Sequence, residues 1–267
     1  MHTMPDQRHR WMTSISLLAL VASMGCSRQP APEATPPASP DPVQTLQRMS
    51  ETLAQAPQLT FKATRHLDAA LVEATGRSES ADVEVWISRP RMLRARATSA
   101  TDVRSFYIDG ARVSMIDESM QLYASTPLTG TIDEVIALLD DKYGFTPPVA
   151  EFALNDPYKR LSRVIETAAY QGTERVGDQD CDHIALTGEV ADAELWISRA
   201  DHLPRRFVAT FKDREGSPQL KIDFSEWNLK PALDDSLFAF AAPAGAEKIV
   251  MTPIEGPGAV ATKGGTK

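Results

Sequence analysis

The sequence predicts an α+β domain built on an antiparallel sheet. Segments in which apolar and polar residues alternate come in two blocks, from Leu59 to Ser125 and from Ala169 to Pro243. Helix patterns stand before the first block and between the two, and the strands are joined by connections of hairpin length. No ten-residue helices alternate with the strands, which argues against a parallel sheet of β-α-β units.

Residues 1–25 are typical of a secretory signal peptide. A basic region at 8–10 precedes an apolar stretch at 11–24, which is shorter than the roughly 20 residues that span a membrane. The stretch ends in SMGC, which resembles the lipobox of bacterial lipoproteins, although Ser23 stands where that motif has an aliphatic residue. We therefore expect Cys26 to become the lipid-modified first residue of the mature protein. The alternatives are an ordinary cleaved signal peptide and an uncleaved anchor.

Residues 26–41 are expected to form a tether. The stretch SRQPAPEATPPASPDP contains six prolines and no large apolar residue, so it forms a semi-rigid spacer instead of a core. A spacer directly after a lipidated cysteine holds a folded domain off a membrane surface. The folded domain is then 42–251, about 210 residues, which is enough for one substantial core. Residues 252–267 are expected to be a disordered tail.

Two helices carry clear start signals. Asp41 is the N-cap of the first and Pro42 occupies its first turn. The second begins at Thr131, which forms a capping box with Glu134, and ends at Gly144. The faces expected to be buried are Val43, Leu46, Met49 and Leu53 in the first helix and Val135, Leu138 and Leu139 in the second.

The remaining elements follow from alternation and turn signals. The first block contains the strand LTFKATRHL, a strand around Trp86 with its return MLRARATS, and two hairpins that turn at Asp109-Gly110 and around 117–119. The segments PPVAEF and DPYKRLSRVI predict short helices between the blocks. The predicted strands of the second block are YQGTERV, DHIALTG, AELWISR, RRFVATFKD, QLKIDFSEWNL and LFAFAAP.

The tetrapeptide WISR occurs twice, at 86–89 and at 196–199, each time in a strand–turn–strand context. Because the chain has only four tryptophans, the repeat indicates two related structural units. Alternation places one aliphatic face in each copy, and an arginine ends that face. Such an arginine must reach water or find acceptors, since a buried unpaired charge costs several kcal/mol. The two faces are Val83, Val85, Ile87 and Arg89, and Leu195, Ile197 and Arg199.

Three segments resemble those of a known superfamily. VEVWISRPRMLRAR resembles the strand-Arg-Pro-strand signature of the LolA/RseB-like superfamily of lipoprotein carriers. FYIDGARVSMIDESMQLYAS resembles its Asp-Gly hairpin, and LFAFAAPAGAEKI its closing strand. The order of motifs, with YGFTPPVAEF, CDHIAL, LPRRF and FSEWNL, also resembles a narrower family of predicted periplasmic proteins over residues 41–250.

The resemblance implies a strongly curved, unclosed antiparallel β half-barrel, with helices packed on its concave side and an apolar cavity between. Arg89 corresponds to the arginine that hydrogen-bonds the helical lid in that superfamily and holds the cavity shut, while Arg199 has no such counterpart. The helix from Thr131 to Lys142 is then part of the lid. The residues expected at the cavity or lid are Arg89, Val85, Ile87, Leu195, Ile197, Leu138 and Leu139.

Catalytic and metal-binding patterns are weak in this sequence. Cys181 and His183 lie two residues apart, but no third ligand at standard spacing and no nucleophile motif accompanies them. The motifs G-x-S-x-G, H-E-x-x-H and the phosphate-binding glycine loop are absent from the sequence. We therefore expect no catalytic residue, no metal, no cofactor and no enzyme activity, with Cys181 a buried apolar residue.

The net charge and the residue after Cys26 predict which partners are excluded and where the protein is anchored. The formal net charge is −8, or −9 once residues 1–25 and their single net positive charge are removed, and no basic block is present. This argues against nucleic acid as a partner. Because Ser27 and not Asp follows Cys26, resemblance to enterobacterial sorting predicts anchoring at the periplasmic face of the outer membrane.

The expected partners are lipid or lipoprotein acyl chains held in the cavity, with the membrane reached through the lipid on Cys26. One alternative is a protein-interaction or envelope-stress sensing module of RseB type, which would bind an envelope protein. A hydrolytic or thiol enzyme is the second and weaker alternative.

Overall fold

One sheet carries most of the chain in the computed structural model, which describes residues 39–147 and 149–254. The helices are α1 (Pro42–Gln55), α2 (Ala69–Thr75), α3 (Ile132–Tyr143), α4 (Ala150–Ala153) and α5 (Pro157–Leu161). The strands are β1 (Gln58–Leu67), β2 (Ser80–Ser88), β3 (Met92–Thr98), β4 (Val103–Asp109), β5 (Arg112–Asp117), β6 (Leu122–Pro127), β7 (Thr167–Val176), β8 (Gln179–Thr187), β9 (Ala191–Ser198), β10 (Pro204–Phe211), β11 (Gln219–Asn228) and β12 (Glu247–Lys248).

The strand order is β12-β6-β5-β4-β3-β2-β1-β11-β10-β9-β8-β7. Strands β1 and β11 pair near the middle, so the first block lies on one side of this seam and the second block on the other. The pairings are antiparallel except for β12, which lies parallel to β6. The end strands β7 and β12 leave the sheet open. The prediction of an α+β domain on an unclosed antiparallel sheet is therefore confirmed.

The predicted helix caps are present. The carboxylate of Asp41 accepts hydrogen bonds from the backbone N–H groups of Val43 and Gln44, at 2.8 and 3.1 Å, at the start of α1. At the start of α3, Thr131 and Glu134 form the reciprocal capping box. Each cap satisfies N–H groups that have no partner inside the helix.

The buried face of α3 differs from the expected one in one residue. Leu138 is exposed, so the prediction that it shares a buried face with Leu139 is wrong. Successive helical residues are about 100° apart, and the face that packs on the sheet has the spacing i, i+3, i+4, i+7. Its members are Ile132, Val135, Ile136 and Leu139, each at most 2% exposed.

Helices and sheet share one core. Leu46, Met49 and Leu53 of α1 pack in the same apolar cluster as α3, α4 and the aliphatic residues of both strand blocks. Val43 of α1 was expected on this face and is 40% exposed. We call the face of the sheet that carries this cluster the inner face and the opposite one the outer face.

The segment LFAFAAP is not a strand, and this prediction is wrong. Asp235–Phe238 form a short 3-10 helix that packs against β3 and β4. Both of those strands already have partners on either side, so they offer no free edge. The ring of Phe240 instead packs on the outer face, 5.4 Å from that of Tyr107 and 5.5 Å from that of Tyr123. Helix α2, between β1 and β2, was not predicted.

Within the ranges that the structure describes, no helix is long and apolar enough to span a membrane. The expected signal peptide, Cys26 and residues 27–38 of the tether lie outside the described residues, as do residues 255–267 of the expected tail.

Candidate functional site: two related hairpins and an apolar pocket

The two copies of WISR form two hairpins of the same build. The first hairpin is β2–β3 and the second is β9–β10. In each, the tryptophan pairs across the hairpin with an arginine, Trp86 with Arg94 and Trp196 with Arg206. The neighbouring aliphatic residues point to the inner face, as alternation predicted. Val85, Ile87, Leu195 and Ile197 are each at most 1% exposed.

The side chain of Arg89 extends from the end of β2 toward the helices. Its Nε donates to the carbonyl of Leu53 at 3.3 Å, and its Nη1 donates to the carbonyl of Ala153 at 3.3 Å and to Oδ1 of Asn155 at 2.9 Å. Both carbonyls lie in the last turn of a helix, α1 or α4, where backbone acceptors have no partner inside the helix. Burial lowers the pKa of Arg89 to about 10, with Asp133 opposing the shift, so the guanidinium stays charged at neutral pH.

Further hydrogen bonds hold the residue that follows Arg89. The carbonyl of Pro90 accepts from the backbone N–H of Ile132 at 2.8 Å and from Nδ2 of Asn155 at 3.1 Å. The backbone N–H of Asn155 in turn donates to Oδ1 of Asp133 at 2.6 Å. The end of β2 is therefore joined to α1, α3 and α4.

Arg199 occupies the equivalent position after β9 and has a different environment. Its side chain is 55% exposed, and Nε lies 3.5 Å from Oδ1 of Asp182. An exposed pair of this kind contributes about 0–1 kcal/mol. The same tetrapeptide thus ends in a buried, helix-bound arginine in one hairpin and in a solvated one in the other.

The tryptophans pack on the outer face. The guanidinium of Arg94 lies between two rings, 5.1 Å from the centroid of Trp86 and 5.2 Å from that of Tyr107. Trp196 stacks on His183 with ring centroids 4.2 Å apart, and its Nε1 donates to Oε2 of Glu174 at 2.8 Å. These are cross-strand packing contacts of the kind expected for large aromatic residues on strands.

Cys181 and His183 occupy neighbouring outer positions of β8. Burial raises the pKa of the Cys181 thiol, which disfavours a nucleophilic thiolate. Nδ1 of His183 lies 3.0 Å from Oε1 of Glu174. In the described part of the chain, no group of three His, Cys, Asp or Glu side chains is arranged to hold a metal ion.

An apolar pocket of about 310 Å³ lies on the inner face of the first block. Small side chains create it, because alanines stand at inward positions of three strands. In the second hairpin Phe207 pairs with Leu195, where the first hairpin pairs Ala95 with Val85. Phe207 packs edge-on against Phe152 of α4, with ring centroids 5.4 Å apart. The alanines that line the pocket are Ala81, Ala95, Ala97 and Ala124.

One end of the pocket is basic. Arg65, Arg77 and Arg104 line it together with Asp102 and Asp117. Burial, reinforced by the nearby charges of Arg77 and Arg104, lowers the pKa of Arg65 to about 10. Burial and the charge of Arg104 likewise lower the pKa of Arg77. Among the residues that line this end, three cations thus stand beside two carboxylates, and the charge of Glu151, outside the lining, opposes the lowering of the pKa of Arg77.

The predicted cavity residues lie elsewhere. Val85, Ile87, Leu195, Ile197 and Leu139 are packed in the core, and in the described part of the chain the pocket lining includes none of them, nor Arg89 or Leu138. The sequence does carry signals for the pocket that was found. Arg65 and Arg104 are charged residues at inward positions of β1 and β4 that are otherwise apolar. In β3, the inward positions after Leu93 are the small residues Ala95 and Ala97.

A family model described as "Predicted periplasmic protein (DUF2092)" matches residues 43–252 of this chain. Among curated proteins, none matches the sequence.

Several solved structures are similar in fold. An uncharacterized conserved protein from Thermus thermophilus is 13% identical, with 78% of this chain and 97% of that chain covered and a TM-score of 0.47. The lipoprotein LppX from Mycobacterium tuberculosis is 17% identical, with 74% and 100% covered and a TM-score of 0.43. The MucA/MucB complex from Pseudomonas aeruginosa gives 16% identity, 76% and 62% coverage and a TM-score of 0.44. Because these TM-scores are below 0.5, the similarities give no information about what this chain binds.

Proposed function

This chain belongs to the family of predicted periplasmic proteins DUF2092, and on that premise we propose that it is a non-enzymatic envelope lipoprotein that binds one apolar chain in the inner-face pocket. The observation that carries the proposal is the pocket itself. Its volume of about 310 Å³ lies at the lower end of the range of about 300–1,000 Å³ that small-molecule sites occupy. The ligand is therefore a single acyl chain or part of a larger lipid.

The chemistry of the walls supports this ligand class. The alanines form the floor together with Phe106 and Met115, which lie in the same cross-strand row of the sheet as Ala95 and Ala124, and Phe145 also lines the pocket. Each methylene group that leaves water for such a surface contributes about 0.8 kcal/mol. Two apolar residues at the edge of the pocket are exposed to solvent, Met120 at 66% and Ile249 at 44%. An acyl chain that enters at this edge therefore contacts apolar side chains as soon as it leaves water.

We expect the open sheet to be a strongly curved half-barrel, with α1, α3 and α4 on its concave side. The shared core of helices and inner face supports this arrangement, and so does the absence of pairing between the end strands β7 and β12 among the described residues. In this arrangement Arg89 holds the helices closed over the sheet through its bonds to Leu53 and Ala153.

The membrane anchor is proposed from the sequence alone. Cys26 carries the lipid, residues 26–41 are the tether, and the domain 42–251 faces the periplasm from the outer membrane. Radiolabelled palmitate should enter the wild-type protein and not the Cys26→Ser variant. Equal labelling of the two would show that Cys26 is not the anchor.

Native mass spectrometry of gently purified protein tests the proposed ligand. We expect a noncovalent adduct with the mass of a lipid or fatty acid, lost on organic extraction. The Arg112→Met variant changes an exposed residue outside the pocket and should keep the adduct. Protein without an adduct that copurifies with an envelope protein would instead favour the interaction module.

A further inference from the structure

The pocket has an apolar body and a charged end. At the charged end, one guanidinium N–H group has no hydrogen-bond partner among the described residues. Arg65 is 5% exposed. Its Nη2 donates to the carbonyl of Ser78 at 2.9 Å, and its Nε is buried with no hydrogen-bond partner among the described residues. A buried guanidinium whose donors are not all satisfied is costly, and an anion in the pocket that Arg65 lines would offset the cost of its charge.

The two neighbouring arginines differ in how far they are neutralised. Arg77 donates to the carbonyl of Thr146 at 3.0 Å and has no carboxylate within ion-pair distance among the described residues. Arg104 is already paired, with Nε 3.1 Å from Oδ2 of Asp117 and Nη2 3.8 Å from Oδ2 of Asp102. The charge available to a ligand is therefore that of Arg65 and Arg77.

The carboxylates at this end accept from Arg104, from one hydroxyl group and from backbone N–H groups. Oδ2 of Asp102 also accepts from Oγ of Ser78 at 2.7 Å, and Oδ1 of Asp117 accepts backbone N–H groups of the following turn. These bonds hold both aspartates in place. The charge of Asp102 partly offsets that of Arg65, and among the described residues neither aspartate forms an ion pair with Arg65 or Arg77.

We propose that the pocket selects an anionic amphiphile, with its acyl chain on the alanine floor and its anionic head, a carboxylate or a phosphate, on Arg65 and Arg77. This rests on the proposed function of the same pocket and adds the charge of the ligand to it. Charge-assisted bonds from guanidinium groups to such oxygens are among the stronger hydrogen bonds in proteins. The chain as a whole carries a formal charge of −8, so the preference is local to the pocket and does not come from long-range attraction.

Competition among three ligands with the same alkyl chain tests this selectivity. Parinaric acid serves as the fluorescent probe, and lauric acid, dodecyl phosphate and dodecanol are the competitors. In wild-type protein, at least one of the two anions should compete at least about tenfold more strongly than dodecanol, which corresponds to about 1.4 kcal/mol. Which anion is stronger distinguishes a fatty acid from a phosphate-bearing lipid.

The variants Arg65→Met and Arg77→Met keep an unbranched apolar side chain and remove the donors. Each should reduce the preference for anions to less than about threefold. Because parinaric acid is itself a carboxylate and should also bind these variants more weakly, the comparison uses inhibition constants corrected for the affinity of the probe in each variant, and the constant of dodecanol should be unchanged. Arg112→Met, in the neighbouring β5 and exposed, should behave as wild type. Arg77 is only partly buried, so its variant carries the test if Arg65→Met does not fold.

The outcomes separate the two proposals. If dodecanol competes as strongly as the anions in wild-type protein, the selectivity is wrong and the apolar pocket stands. If the preference for anions survives in both arginine variants, these two residues are not the head-group site. If neither the probe nor any competitor binds, the proposed function is wrong and the selectivity falls with it.

Discussion

The first and second hairpins share a sequence pattern and differ in what lies over their inner faces. Over the second, Phe207 and Phe152 fill the space between sheet and helix. Over the first, Ala95 stands at the position equivalent to Phe207, and the space continues into the pocket. Two strand-turn-strand units with the same sequence pattern thus differ at one inward position, which an aromatic ring fills in the second hairpin and which lines the inner-face pocket in the first.

The terminal arginines differ for a related reason. Arg89 lies where α1 and α4 end, and helix ends present unpaired carbonyls and a partial negative charge that favour a cation. Arg199 lies beside β8, where its acidic neighbour is Asp182. Alternation therefore fixes the face of a residue, while the element opposite decides its role.

The largest loss of stability is expected for a substitution in α3, which is hydrogen-bonded to the first hairpin at Pro90. Leu139→Arg places a charge at a site that is 0% exposed and should lower the free energy of unfolding by about 4 kcal/mol or more. Leu138→Arg, one residue earlier and exposed, is the control and should change it by less than about 0.5 kcal/mol. Urea denaturation measures both. Equal losses would contradict the assigned face.

The next effect separates the two arginines. Arg89→Leu leaves the carbonyls of Leu53 and Ala153 without a donor and should cost about 2–4 kcal/mol of stability. It should also increase the binding of a hydrophobic dye, because the helices it holds are released. Arg199→Leu should change stability by no more than about 0.5 kcal/mol. If both substitutions change dye binding equally, or neither does, Arg89 does not hold the helices.

A smaller difference is expected on the outer face. Trp196→Phe loses the hydrogen bond to Glu174 and part of the stacking on His183, and should cost about 1–2 kcal/mol. Trp86→Phe keeps a ring beside Arg94 and should cost about 0.5–1 kcal/mol. Thermal denaturation of the two variants compares them. A larger loss of stability at Trp86 than at Trp196 would contradict this order.

Much of the fold could be predicted from local patterns, because caps, turns and alternation act over a few residues. The capping box at Thr131 and the inward faces of β2 and β9 are examples. Other features depend on neighbours that the sequence does not reveal. LFAFAAP alternates like a strand but lies against strands whose edges are occupied, and Leu138 follows the apolar pattern but lies beyond the packed stripe of α3.

The pocket could not be located from the sequence for the same reason. It arises where alanines on separate strands come into register with Phe106 and Met115, across β3, β4, β5 and β6. A single strand pattern gives the face of each residue and not the volume left between neighbouring strands. The resemblance pointed instead to the aliphatic residues around Arg89, which are close-packed in this structure.

The most direct test of the proposed pocket is the binding of parinaric acid to the Ala95→Phe variant. The substitution gives the first hairpin the residue that fills the second, at a position that lines the pocket of about 310 Å³. We predict that affinity falls at least about tenfold while the melting temperature is unchanged or rises. Undiminished affinity in a folded variant would show that the ligand does not occupy this pocket, and a loss of about 1–3 kcal/mol of stability would show that the site is already packed.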